Sequence, residues 1–107
     1  MSKTNRNAPE LILVGGKWAE KNEIYLTLPD RIIKQIGTNA NLTANERLLL
    51  MVLIGQAESG FHPSVQWILD RTGMSEKTYI RCRLSLIEKN IIETEDCVFI
   101  KINLDNI

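Results

Sequence analysis

The stretch GMSEKTYIRCR, Gly73–Arg83, decides how this chain is read. Gly73 supplies the backbone freedom that stops one helix, and Ser75 offers a hydroxyl to the orphan amides of the next. Met74, between them, is placed to plug the core beneath the bend. The helix that starts after Ser75 carries Lys77, Thr78, Arg81 and Arg83 in its first turns. At about 100° per residue, Lys77, Arg81, Ser85 and Glu88 fall on one side, with Thr78 and Lys89 beside them. Tyr79, Cys82, Leu86 and Ile87 fall on the other, with Ile80 and Leu84 at its margin. This predicts a cationic outer face and a wide apolar inner arc, in whose middle Arg83 falls. For Arg83, stacking on Tyr79 or Trp67, pairing with an acid, and facing a partner chain all stay open.

Working outward, VQWILDRT before the bend reads as a short helix capped by Ser64 and closed by Gly73, with Val65, Ile68 and Leu69 as its inner stripe. After it, IIETEDCVFIKI reads as strand, polar turn at Glu95 and Asp96, and strand, with Val98, Ile100 and Ile102 on one face. Upstream, LTANERLLLMVLIGQ opens with Thr43 and Glu46 in capping-box spacing and continues as an almost wholly apolar core helix. Before that, Pro29 starts a short helix carrying Ile32, Ile33 and Ile36, which Gly37 ends. LILV and IYLTL flank a polar turn at Lys21 and Asn22 and read as an N-terminal hairpin. Residues 1–9 are polar and predict a loose tail, and residues 10–107 one domain: hairpin over 10–28, helices over 29–90, wing over 91–104.

Composition narrows the function classes. The 107 residues hold 13 basic and 13 acidic side chains, a formal net charge of zero, so nucleic-acid binding has to come from a local patch. Residues 64–90 carry five basic and three acidic residues, whereas residues 91–107 carry one and four. Two cysteines without C-x-x-C spacing and a single histidine, His62, assemble no zinc set. The longest apolar run is far short of the roughly 20 residues that cross a bilayer, and no hydrophobic leader opens the chain, so the expected setting is the cytoplasm with reduced thiols. Gly15 and Gly16 lack phosphate-loop spacing, Trp18, Tyr25 and Trp67 form no stacking platform, and Cys82 reads as a packing residue rather than a nucleophile. No enzyme, cofactor, metal, membrane or small-molecule substrate is expected.

A short helix, a glycine bend, a serine-capped helix and a β-hairpin in succession are the sequence form of a winged helix-turn-helix, whose second helix enters the DNA major groove. The fold class is therefore α+β: three to four helices, a C-terminal hairpin wing and an additional N-terminal hairpin. On that geometry Lys77, Thr78, Arg81 and Ser85 are the candidates for base readout, Arg81 by bidentate bonding to guanine, and Ser75, Arg71 and Lys89 the candidates for phosphate.

Thr72–Glu93, TGMSEKTYIRCRLSLIEKNIIE, resembles the winged-helix domains of phage and plasmid replication-initiation and replisome-organising proteins, with a pattern near G-x-S-x-x-T-Y-x-R-x-R-x-x-L-x-x-x-G-x-I. Gly73, Ser75, Thr78, Tyr79, Arg81, Arg83, Leu86 and Ile92 match it. Asn90 stands where the pattern has glycine, and Glu93, Glu95 and Asp96 make an acidic wing where phosphate contact would use lysine or arginine. The resemblance implies double-stranded DNA binding in replication initiation or transcriptional control on a mobile element. The alternative is a winged-helix adaptor or inhibitor that grips a protein. The partners this reading admits are double-stranded DNA, a second copy of the chain as a homodimer, and a host or replisome protein.

Overall fold

The computed structural model describes residues 26–57, 63–95 and 98–107. In them, four helices lead into an antiparallel hairpin: α1 (Asp30–Thr38), α2 (Ala44–Ala57), α3 (Val65–Thr72), α4 (Glu76–Glu88), β1 (Ile92–Glu95) and β2 (Val98–Ile102), followed by a 3-10 turn at Leu104–Asn106. The N-terminal hairpin expected over 10–28 lies outside the described residues, except for 26–28, which carry no regular secondary structure.

Helix α2 begins behind the predicted capping box. The Thr43 amide donates to Glu46 Oε1 at 3.0 Å, and the Glu46 amide donates to Thr43 Oγ1 at 3.2 Å. Leu49, Leu50 and Leu53 of α2 are buried with Ile32 and Ile36 of α1, Ile68 of α3, and Tyr79, Cys82 and Leu86 of α4. Each such aliphatic side chain contributes roughly 1.5–3 kcal/mol relative to leaving it in water. Helix α2 packs against α1, α3 and α4 and is the post around which the others stand.

Two details of the helices differ from expectation. Helix α1 runs through Gly37 to Thr38, whose hydroxyl donates to the Lys34 carbonyl at 2.7 Å and satisfies a terminal acceptor without a glycine stop. Val65 is exposed, so the inner stripe of α3 is carried by Ile68 and Leu69; Val65 is the first helical residue, where the stripe runs out of cover.

A glycine inside a helix costs about 1 kcal/mol against alanine, and Gly55 in α2 has a packing reason for being one. A Cβ there would sit 3.0 Å from the Leu26 Cβ. Its absence lets residues 26–28 lie against α2, where the Thr27 amide donates to the Gly55 carbonyl at 3.2 Å.

Past the end of α4, Asn90 takes the left-handed region at φ 59°, a conformation that asparagine tolerates. The Ile91 amide reaches back to the Leu86 carbonyl at 3.0 Å, and Ile91 and Ile92 enter the core. The side-chain amides of Asn103 and Asn106 both donate to the Asn90 carbonyl, at 2.9 and 2.7 Å, which ties the end of the chain to the end of α4. In the hairpin, Ile92 pairs with Ile102, Glu93 with Lys101, Thr94 with Phe99 and Glu95 with Val98. Glu95 is therefore the last strand residue rather than part of the turn. The register shifts between Glu93 and Thr94, whose partners are Lys101 and Phe99; the side chains of Val98 and Ile100, expected on one face with Ile102, lie outside the described residues. Among the described residues, no helix is long and apolar enough to cross a membrane.

Candidate nucleic-acid interface

The bend between α3 and α4 is held by short local bonds. Ser64 caps α3 by accepting from the Trp67 amide at 3.1 Å. At the other end Gly73 adopts φ 70°, and its amide donates to the Leu69 carbonyl at 2.9 Å. A side chain there would pay for a left-handed backbone, so glycine is the residue the bend requires. The Met74 amide donates to Thr72 Oγ1 at 3.3 Å and its side chain is buried as expected. Ser75 then caps α4: its hydroxyl oxygen accepts from the Thr78 amide at 3.2 Å, and the hydroxyl donates to Thr78 Oγ1 at 3.0 Å.

This geometry sorts the residues singled out in the sequence. Lys77 and Arg81 are exposed on α4, and among the described residues neither forms a salt bridge. Thr78 is half-buried and tied to Ser75, which is exposed at the start of the helix. Arg71 is exposed at the end of α3, its guanidinium 4.4 Å from the centroid of the Trp67 ring, a stacking contact that restricts where the charge sits. Arg83 is half-buried.

Ser85 and Lys89, expected at bases and phosphate, turn instead toward α2. The Ser85 hydroxyl donates to Glu46 Oε2 at 3.0 Å. The Lys89 ammonium donates to Glu46 Oε2 at 2.9 Å, to Glu46 Oε1 at 3.1 Å and to the Asn41 carbonyl, so its three protons all have acceptors. Their side of α4 is the side that meets α2, because helical rotation puts Ser85 and Lys89 about 80° and 120° around from Lys77.

Glu46 is the residue whose larger role the sequence did not reveal. Its side chain is 2% exposed, yet it serves the capping box, Ser85 and Lys89 together. Burial pushes its carboxyl up, but the Lys89 ammonium, the Thr43 amide and the Ser85 hydroxyl outweigh burial and hold it below the usual carboxylate value. It is an anion, and it pins the C-terminal half of α4 to the start of α2. The one local signal was the capping box; nothing local points to partners 39 and 43 residues away. Beside it, burial first and the Glu46 charge second push the Cys82 thiol up, against Arg81 and Lys89, which suits a packing residue and not a nucleophile.

The exposed face of α4 therefore consists of Glu76, Lys77, Ile80, Arg81, Leu84 and Glu88. Ile80 and Leu84, expected at the margin of the apolar arc, are 44% and 60% exposed. On the hairpin Glu93 and Glu95 are exposed, and the Lys101–Glu93 pair at 3.8 Å, with both side chains largely in water, adds little to stability. Among the described residues, no three metal-ligating side chains gather.

Comparison with known proteins agrees with this arrangement. Neither curated proteins nor solved structures give a match. A family model described as a helix-turn-helix domain matches residues 40–92. The matched range holds α2, α3, the bend, α4 and the first residue of β1, including the whole Glu46 network. The description carries no replication function, so the likeness to replication initiators gains nothing from it. Over residues 40–92 this chain is similar to the helix-turn-helix family, with α3 as the first helix of the motif and α4 as the second.

Proposed function

We propose that the chain binds duplex DNA by placing α4 in the major groove, as a transcriptional regulator or replication accessory factor. The observation that carries this is the pair Lys77 and Arg81, exposed on the second helix of a helix-turn-helix and unclaimed by any carboxylate among the described residues. Arg81 reads a guanine edge, with Lys77 beside it. Ser75 and Arg71, at the start of α4 and the end of α3, meet the backbone phosphates. Thr78 supports Ser75. Ser85 and Lys89 act one step back, holding α4 through Glu46.

Anisotropy titration of the full chain with a random duplex pool at two salt concentrations tests this. Binding that weakens steeply with salt is expected. Arg81→Ala should lose discrimination among sequences while Arg71→Ala mainly flattens the salt slope. No binding at micromolar protein in low salt refutes the reading. A second reading, an adaptor that grips a protein, is favoured by the exposed carboxylates Glu93 and Glu95, which repel a phosphate backbone. It predicts that Glu93→Lys with Glu95→Lys strengthens DNA binding from an undetectable start.

A further inference from the structure

The exposed face of α4 is not purely polar. Measured around the helix at about 100° per residue, Lys77, Ile80, Arg81, Leu84 and Glu88 occupy a single arc of about 100°, with Leu84 and Lys77 near its centre. Ile80 follows Lys77 by three positions and Leu84 follows Arg81 by three, so each apolar side chain neighbours a cation. Among the described residues neither is fully covered: Ile80 is 44% and Leu84 60% exposed, while the neighbouring Tyr79, Cys82 and Leu86 lie in the core.

Resting on the DNA reading above, we infer that Ile80 and Leu84 are specificity-determining residues that read thymine C5-methyl groups, so that the preferred site carries thymine beside the guanine bound by Arg81. Charge favours a polyanion at the N-terminal part of this arc, where Lys77 and Arg81 flank Ile80 and Leu84, while the Glu88 carboxylate stands one turn further along the helix. Within a duplex, the apolar feature on the major-groove edge is the thymine methyl. Spacing agrees: four residues at about 1.5 Å each put Leu84 about 6 Å along the helix from Ile80, between one and two base-pair steps of about 3.4 Å. A protein partner fits less well. Two aliphatic side chains supply only a small part of the roughly 800 Å² per partner that a stable interface buries.

The experiment selects bound duplexes from a random pool, then resynthesises the best site with deoxyuridine in place of each thymidine, which removes the methyl and leaves base pairing intact. Wild-type protein should lose about three- to tenfold in affinity for each contacted methyl removed. Ile80→Ser and Leu84→Ser should each bind the thymine and uracil forms of the corresponding position equally. Both replace exposed side chains, and thermal melting checks that they fold. Equal affinity of the wild type for the two forms overturns the inference and leaves DNA binding standing. Absence of binding to any duplex overturns both. A dimer seen by light scattering without DNA, dissolved by Leu84→Ser, assigns the patch to a second copy and also overturns it.

Discussion

Replacing Glu46 by alanine tests how α4 is held. The substitution removes the acceptor for the Thr43 amide, half of a capping box that contributes about 1 kcal/mol. It removes the Ser85 hydrogen bond, about another 1 kcal/mol. It also strands the Lys89 ammonium. That group is 32% exposed and rehydrates, so the loss of the ion pair is discounted to about 1 kcal/mol, well short of the 3–5 kcal/mol of a fully buried pair. The expected cost is about 3 kcal/mol, a fall in Tm of more than about 10 °C for a domain of this size. Glu46→Gln keeps the volume and one acceptor oxygen and should cost about 1 kcal/mol. Urea unfolding at constant m-value measures both, and a cycle with Lys89→Met should return a coupling above about 1 kcal/mol. The effect also has a pH signature. The Glu46 carboxyl is held below its ordinary value of 4.5 in the folded state, so its charge-linked contribution is present above pH 4.5 and lost as pH falls through the lower folded value. Glu46→Gln should lose less stability than the wild type over that acid range. An alanine variant within about 0.5 kcal/mol of wild type at neutral pH, with an unchanged acid limb, refutes the idea that Glu46 holds the two helices together.

Two further substitutions and one reactivity measurement probe the frame around α4. Gly73→Ala meets no steric obstacle but forces a side chain into φ 70°, and should cost about 1 kcal/mol in urea unfolding. Gly55→Ala gains helix propensity yet drives a Cβ to 3.0 Å from Leu26, so it should destabilise by about 1 kcal/mol and speed hydrogen exchange at the Thr27 amide. The Cys82 thiol, buried and held in its neutral form, should react with a thiol reagent at least tenfold more slowly in the native protein than in urea; equal rates would show that it is not core.

The elements that reason from neighbours in sequence were legible before any coordinates. Ser64, Ser75 and the Thr43–Glu46 box each cap a helix through bonds three residues long, and Gly73 and Asn90 end helices through their own backbone preference. Those signals are local because a cap hydroxyl and a left-handed residue act on amides within one turn. The same locality makes the order of the helices and the C-terminal hairpin legible from residue order. The hairpin register shows the limit: nothing in the local sequence marks the shift between Glu93 and Thr94.

For the interface, residue order alone determined that α4 would follow a glycine bend with Lys77 and Arg81 together on one side, since helical pitch ties residues four apart to a common face. Tertiary packing decided the rest. Periodicity places Ser85 near Arg81, and only the arrival of Glu46 from the start of α2 drew Ser85 and Lys89 inward. Helix α4 packs on α2 and β1, and Ile80 and Leu84 stay exposed. A helical wheel gives directions around an axis; which directions are covered depends on where neighbouring elements stand, and that is settled by contacts between residues far apart in the chain.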